Sequence, residues 1–453
     1  MKFSQGFRDT EVGKIPNDWK IKKLGCFGDF RNGVNFSRED FGKGYPVINV
    51  KNLFSGRYAT TKNLAEIKEV TIKNINLYSL QKGDILFARS SVKASGAGQV
   101  AMINDLPNNY TLFSGFIIRF RNNSSKLLNN NFINYLLRSN IYRKYLTKIA
   151  IGTSIINLTQ GTLSNIPIIL PPLNEQNWIV NIITDLDNKI ELNSQINKNL
   201  EQMAQIIFKH WFVDFEFPDE NGEPYKSSGG EMMDSELGLI PKGWRFEKLG
   251  NLLSEIVTGN RPKGGVSKFN VGIPSIGAES INGLCNYDFS KTKYIPELYF
   301  YNMKKGVVKN RDILLYKDGA KLGRKSMFLE DFPFKKCCVN SHVFILRSIS
   351  LIGQSYLFFY LDQNFMTKNI INLNTNSAQP GINSTSVKTL RILLPSDKIL
   401  NLFNELIFPI LRMIFNNAKG NQCLSILRDA LLPKLMSGEI RVPISIKLIN
   451  QSN

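Results

Sequence analysis

Four loops combine basic or amide side chains with glycine: RNGVNFSREDFGKGYPVINVKN (Arg31 to Asn52), ARSSVKASGAG (Ala88 to Gly98), VTGNRPKGGVSKFNVGIPSI (Val257 to Ile276) and YKDGAKLGRK (Tyr316 to Lys325). Glycine lets the backbone approach a phosphate closely, and Lys or Arg neutralises it. Arg can also bond the guanine edge bidentately, and Asn or Gln the adenine edge. The side chains able to do this are Arg31, Asn35, Lys51, Asn52, Arg89, Ser90, Ser91 and Lys93 in the first half. In the second half they are Arg261, Lys263, Lys317, Lys321, Arg324 and Lys325. The segments TSIINLT and AQPGINSTS add Thr153, Asn157, Gln379 and Asn383. One such loop is as easily a solvated turn. The same loop at the same place in both halves favours a shared binding face.

The formal net charge of +20 and the pI near 9.6 point the same way, to a polyanionic partner such as DNA or RNA. A nucleotide-composition bias of the genome, which enriches Lys, Asn and Ile together, is the competing explanation.

Catalytic signatures are missing. GAKLGRKS (Gly319 to Ser326) is one residue short of a P-loop, has Arg in place of Lys and precedes an apolar strand rather than a helix. No Asn/Asp-Pro-Pro-aromatic loop of an amino-methyltransferase occurs. Two histidines, His210 and His342, far apart in sequence give no local Ser-His-Asp or Cys-His motif. Cys26, Cys285, Cys337, Cys338 and Cys423 lack metal-ligand spacing and fit reduced thiols in the cytoplasm. The N-terminus has no apolar run after its lysine, and no segment approaches about 18 uninterrupted apolar residues, so neither a signal peptide nor a membrane span is expected. The chain is expected to bind rather than catalyse.

The elements that must position the loops are duplicated. EVGKIPNDWKIKKLG (Glu11 to Gly25) returns as ELGLIPKGWRFEKLG (Glu236 to Gly250), and GDILFARSSVKASGAGQVAMI (Gly83 to Ile103) as RDILLYKDGAKLGRKSMFL (Arg311 to Leu329). IPIILPP (Ile166 to Pro172) is answered by LRILLPS (Leu390 to Ser396), and an Ile-Asn step recurs at Ile156-Asn157 and Ile382-Asn383. A long repeat present twice means two homologous domains rather than a solenoid. Trp19 and Trp244 are expected to be packed anchors.

Each half ends in a long helical pattern. The first places Ile179, Ile183, Leu186, Ile190, Leu200, Ala204 and Ile207 on one seam, interrupted by Asn193 and Asn197. The second places Ile399, Phe403, Leu406, Ile410, Met413, Leu424, Leu427 and Leu431 there, with Asn417 and Gly420 mid-seam. Pro409 should kink or split the second helix. Forty helical residues span about 60 Å, and two such helices most simply pack on each other, with seam Asn residues setting register. The acidic stretch between the halves reads as a solvated linker.

These motifs resemble the specificity subunit of type I restriction–modification systems over essentially the whole chain. The resemblance rests on the doubled Ile15-Pro16-x-x-Trp19 and Ile240-Pro241-x-x-Trp244 openings. LPPLNEQ (Leu170 to Gln176) leads into LDNKIELNSQINKNLEQMAQIIFKHWFVDFEF, and LRDALLPKLMSGEIRV (Leu427 to Val442) closes the chain. The resemblance implies an α+β fold: two homologous α/β target-recognition domains separated by two long α-helices packed as an antiparallel coiled coil. The implied layout is a first recognition domain over 1–172, a helix over 173–215, a linker over 216–235, a second recognition domain over 236–395, a helix over 396–440 and a tail over 441–453.

Functionally, it implies a non-catalytic reader of double-stranded DNA with a bipartite, asymmetric target. The helices set the gap and dock two methyltransferase subunits, which use S-adenosylmethionine on adenine. ATP- and Mg-dependent translocase–endonuclease subunits complete the enzyme. Trp211, Phe212, Phe215, Leu431 and Leu432 are expected to form the exposed partner surface. The alternatives are a standalone two-domain DNA-binding protein and an adaptor that only bridges proteins.

Overall fold

The computed structural model describes residues 6–441, apart from 55, 70–73, 92–95, 97, 109, 150–155, 237 and 375–379 and the side chains of Ser91 and Ile156. Lys93, Thr153 and Gln379 therefore lie outside the described residues, as does the stretch 442–453. The chain divides into two compact units, 1–188 with 425–453, and 189–424. Each long helix is shared between them. The units thus differ from the expected six-part layout: each recognition domain carries parts of both helices.

In the first unit, strands β1 (Gly28–Asn32), β2 (Phe41–Ile48), β3 (Ala65–Ile67), β4 (Ile85–Ala88), β5 (Val100–Met102), β6 (Leu112–Phe113) and β7 (Ile117–Asn122) form two sheets. One is antiparallel in the order β1-β7-β4-β5; the other runs β6-β2-β3, with β6 parallel to β2. The fully buried β4, ILFA, has apolar residues on both faces because it is central and covered on both sides.

The second unit repeats this plan with β8 (Leu253–Thr258), β9 (Ile273–Ile276), β10 (Lys293–Ile295), β11 (Ile313–Tyr316), β12 (Lys325–Met327), β13 (Cys338–Val339) and β14 (Val343–Ser348). The orders are β8-β14-β11-β12 and β10-β9-β13, with β13 parallel to β9. Strand for strand, it is the same module.

The repeated Asp-Ile-Leu has a physical reason. Asp84, just before β4, accepts from Arg121 of β7 at 2.8 and 2.7 Å and from the Gln81 N–H at 2.7 Å. Asp312 accepts from Arg347 of β14 at 2.7 and 2.7 Å and from the Lys309 N–H at 2.7 Å. Each pair ties a strand start to its neighbour through a buried bidentate bridge. Burial pushes the Asp312 carboxyl above its usual range despite Arg347.

The doubled opening motif is a socket. Trp19 is 1% exposed, and its indole N–H donates to the buried Glu175 at 3.1 Å. Arg441 bonds Glu175 at 2.7 and 3.0 Å and Asp18 at 3.0 and 2.8 Å, while Leu435 and Met436 join the same core. Residue 441, expected as the first of the tail, is thus clamped. Trp244, 4% exposed, receives Phe217 stacked at 4.8 Å, Phe212 at 5.9 Å and Phe215 edge-on at 5.8 Å. Each opening Trp accordingly packs as an anchor against the chain leaving a long helix.

The long helices are Leu173–Phe212 and Asp397–Ser437. In the second unit they run antiparallel, joined by side-chain amides: Asn193 donates to Asn421 (2.8 Å), Asn417 to Asn197 (2.9 Å), Asn197 to the Ile414 carbonyl (2.8 Å) and Asn421 to the Ile190 carbonyl (3.2 Å). In the first unit Arg428 reaches Asp187 at 2.9 Å, and Ile179, Val180 and Ile183 share a core with Leu435 and Met436.

Three expectations need correction. The second helix is not split at Pro409, which is exposed, so water can satisfy the carbonyl that loses its N–H donor. Its buried stripe is Phe403, Ile407, Leu411, Ile414 and Ala418, whereas Leu406 is 44%, Met413 52% and Leu427 47% exposed. A straight-helix stripe drifts from a 3.5-residue seam, so the heptad register slipped. The supposed linker is folded: Phe217 stacks on Tyr225 at 4.6 Å, and Met232–Met233 pairs with Ile240–Pro241. The helix Asp397–Ser437 also has a composition apolar enough to cross a membrane, yet Phe403, Ile407, Leu411 and Phe415 lie within its unit's core.

Candidate nucleic-acid interface

The sheet topology brings three loops to one end of each four-stranded sheet. Because β7 is antiparallel to β1 and β4, its first residues lie beside the last residues of both: Ile118 opposite Asn32, and Ile117 opposite Ala88. In the second unit Phe344 lies opposite Thr258, and Val343 opposite Tyr316. Residues 33–35, 89–90 and 114–116 therefore converge in one unit, and 259–261, 317–319 and 340–342 in the other.

Glycine makes that convergence tight. A Cβ on Gly33 would strike the Phe113 and Ser114 carbonyls, and one on Gly259 would strike the Val339 carbonyl. A fourth segment joins through backbone bonds. Leu158 N–H donates to Arg89 O at 2.9 Å, and Ile382 N–H donates to Lys317 O at 3.2 Å. Ser90 Oγ donates to Asn157 Oδ1 at 2.5 Å, and Gly319 N–H to Pro380 O at 2.8 Å. The loops are held on a rigid frame, as side chains that select a ligand by position require.

Several expected residues reach this end. Asn35 is exposed, with its amide oxygen against Gly115. Arg89 and Lys317 occupy the same position, one residue beyond β4 and β11. Arg89 also donates to Gly115 O at 3.3 Å, and Lys317 pairs with Asp318 at 3.1 Å. Both are half-buried, and the Lys317 ammonium lies 5.6 Å from the Phe344 ring centroid. Arg261 and Lys263 are exposed just past Gly259, and Lys321 is exposed on the hairpin after β11. Arg324 is exposed and bonds Asn282 at 2.5 Å. Arg31 is half-buried on β1, over the Tyr78 ring at 5.8 Å. Lys51 is exposed on the turn after β2.

Other expected contacts turn out to hold the fold. Asn52 is 8% exposed, accepting from Asn49 N–H at 2.9 Å and donating to Thr60 O at 3.2 Å. Asn383 caps a short helix by accepting from Ser386 N–H at 2.8 Å, the place Thr159 holds in the first unit. The shared Ile-Asn step is therefore not an equivalence: Asn157 precedes the cap by two residues and Asn383 is the cap.

Lys325 is 3% exposed. Its Nζ bonds Thr367 at 2.6 Å and lies 3.7 Å from Asp362, and burial pulls its pKa down to about 8. The first unit solves the same packing in reverse. Val100 replaces the lysine, and Arg138 and Arg143 stand where Asp362 and Thr367 do, donating to the Val100 and Gly98 carbonyls. The cation is exchanged between strand and helices, and it serves packing in both.

Of the three aromatics expected at the docking surface, Phe212 is interior, and Trp211 and Phe215 are half-buried. Phe212 is 3% exposed against Tyr356 (4.8 Å) and Phe403 (4.9 Å), Trp211 packs on Phe403 at 6.0 Å, and Phe215 packs on Trp244. Leu431 and Leu432 are half-buried against the first unit's core. Much of their apolar area lines the sockets, and none of the five is fully exposed. The large apolar residues that the long helices do expose are Leu192, Met203, Ile206, Leu402, Leu406 and Met413 in the second unit and Ile426 and Leu427 in the first.

Reading residue types alone missed Phe116 and His342, which occupy equivalent turns at this end. Phe116 resembles a core residue by type, yet it is 64% exposed. Arg119 was missed too. It is 5% exposed with Nε and Nη1 lacking partners among the described residues, and burial lowers its pKa. Among the described residues no group of three or more His, Cys, Asp or Glu is placed to hold a metal.

Comparison with known proteins bears on this duplicated face. A family model described as the type I restriction modification DNA specificity domain matches twice, over residues 16–202 and 241–422. The MjaIX type I restriction enzyme specificity subunit of Methanocaldococcus jannaschii is 30% identical over 442 residues, with 96% of each chain covered. The HindI specificity subunit of Haemophilus influenzae is 26% identical over 501 residues, covering 94% of this chain and 100% of that one. The S subunit of a type I restriction–modification system from M. genitalium has the same fold, with a TM-score of 0.57 at 15% identity, covering 94% of this chain and 98% of that one.

Proposed function

Because the chain belongs to the type I restriction–modification DNA specificity family, we propose that it is the non-catalytic subunit that selects the DNA sequence for a type I restriction–modification enzyme. Each unit reads one part of a bipartite, asymmetric target in double-stranded DNA. The observation that carries this reading is the duplicated sheet end. One rigid frame is built twice, with a cation at Arg89 and Lys317 in the same place and different side chains around it. Cations that neutralise phosphates position the duplex, and the neighbouring side chains specify bases. Identical frames with different tips suit a target whose halves differ.

In this reading two methyltransferase subunits dock along the long helices, through the exposed Met203, Ile206, Leu406 and Met413 in the second unit and Ile426 and Leu427 in the first. The helices also act as the spacer between half-sites. S-adenosylmethionine, ATP and Mg belong to the methyltransferase and translocase–endonuclease subunits, and the complex works in the cytoplasm.

The test is an exchange of residues 1–172 for the corresponding segment of a relative, followed by methylome sequencing of cells that also carry the methyltransferase. One half of the methylated sequence should change and the other should persist. A change in both halves, or in neither, refutes the assignment.

A further inference from the structure

Phe116 and His342 sit at one structural position. Each ends the turn between the parallel strand and the central antiparallel strand, after β6 in one unit and after β13 in the other. Each offers its backbone carbonyl to the cationic residue of the face: Arg89 N–H donates to Phe116 O at 2.8 Å, and Lys317 N–H donates to His342 O at 3.0 Å. These bonds fix the turn, so the side chain leaves it from a defined point beside the cation. The chemistry there differs completely. Phe116 exposes 64% of its surface, an expensive arrangement in water for a ring with no polar atom. His342 has Nδ1 3.2 Å from the Asp318 carboxylate, which is itself held by Lys317 at 3.1 Å. A carboxylate only accepts, so Nδ1 carries the proton and Nε2 is the ring atom left for a partner.

Resting on the DNA-reading function proposed above, we infer that position 116/342 is a specificity-determining position of each half. Phe116 makes an apolar contact with a base of the first half-site, and His342, oriented by Asp318, makes a hydrogen bond to a base edge of the second. The apolar contact is with a thymine methyl or with the face of an unstacked base. A ring on a rigid turn suits either, and neither the exposed Phe116 nor the half-buried His342 belongs to the cores behind them.

The experiment uses the assembled complex with its methyltransferase subunits. Methylome sequencing with wild-type chain first defines the bipartite motif. Phe116→Ala should then relax one base of one half by about tenfold in discrimination, with the other half unchanged. His342→Ala should do the same in the opposite half. Asp318→Ala, which frees the imidazole from its carboxylate, should blur the same base as His342→Ala. Duplexes with uracil in place of thymine distinguish the two apolar contacts. A loss of about threefold with wild type that vanishes in Phe116→Ala identifies the methyl, and no loss identifies the ring face. If Phe116→Ala and His342→Ala leave motif and affinity unchanged, or weaken specific and unrelated DNA equally, the inference is overturned. If the wild-type complex methylates no bipartite motif, the proposed function itself fails, a result distinct from the first.

Discussion

Replacing Arg441 with Met should unfasten the second long helix from the first recognition domain. Arg441 gives two hydrogen bonds to Glu175, which is fully buried, and two to Asp18, whose side chain is 41% exposed. Methionine keeps an apolar stem but removes the charge, which lies 5.6 Å from the Trp19 ring centroid. Glu175 is then left buried with the Trp19 N–H among its remaining donors, and breaking one partner of a buried pair costs about 3–5 kcal/mol. The exposed Asp18 pair adds under about 1 kcal/mol. Taking about 3–4 kcal/mol, and about 2–4 °C per kcal/mol for a unit of this size, the first unit should melt roughly 6–16 °C lower.

Unfolding curves of Arg441→Met, Glu175→Gln and the double variant measure the coupling. The double variant no longer buries a lone carboxylate, so it should recover at least about 1 kcal/mol relative to the sum of the single losses. The acid limb supplies a second check. The hydrogen bonds from Arg441, and then its charge, hold the Asp18 carboxyl below its usual value of 3.8. A depressed folded pKa means stabilisation that is present above 3.8 and lost as pH falls through the folded value. The Asp18 part of the difference between wild type and Arg441→Met should therefore shrink below that pH. Melting within about 2 °C of wild type, or strict additivity in the cycle, would refute the argument.

Two more outcomes follow from how the structure sorts residues. Lys321→Ala should weaken DNA binding uniformly across sequences and reduce the magnitude of the salt slope by about 1, whereas Lys325→Ala should leave the slope alone and lower the melting temperature of the second unit; equal slopes for wild type and Lys321→Ala would remove Lys321 from the phosphate contacts. In the helix pair, Asn193→Leu should cost about 1–3 kcal/mol by stranding the Asn421 amide oxygen, and adding Asn421→Leu should restore part of it; chemical denaturation decides, and a double variant less stable than either single one would contradict the pairing.

The exposed Phe116 and the buried Lys325 mark the limit of reading by residue type, which passes over the aromatic and takes the lysine for a ligand contact. Both outcomes come from neighbours remote in sequence: Arg89 fixes the turn that presents Phe116, and Asp362 and Thr367 enclose the Lys325 ammonium. The heptad register of the second helix failed for a related reason. Ile407 and Leu411 face the core because tertiary packing chose one stripe of a helix that is apolar on several.

What the amino-acid order determined by itself was the duplication, the anchoring tryptophans, the two long helices with their Asn interruptions, and a basic, motif-poor chain built to bind. These are properties of local pattern and of repetition, which need no partner to be visible. The tertiary structure decided which cations face outward, which become buried struts, and which side chains share the end of each sheet. Burial and strand order, not residue type, control whether a charged or aromatic group meets solvent, and both arise from contacts made across the folded chain.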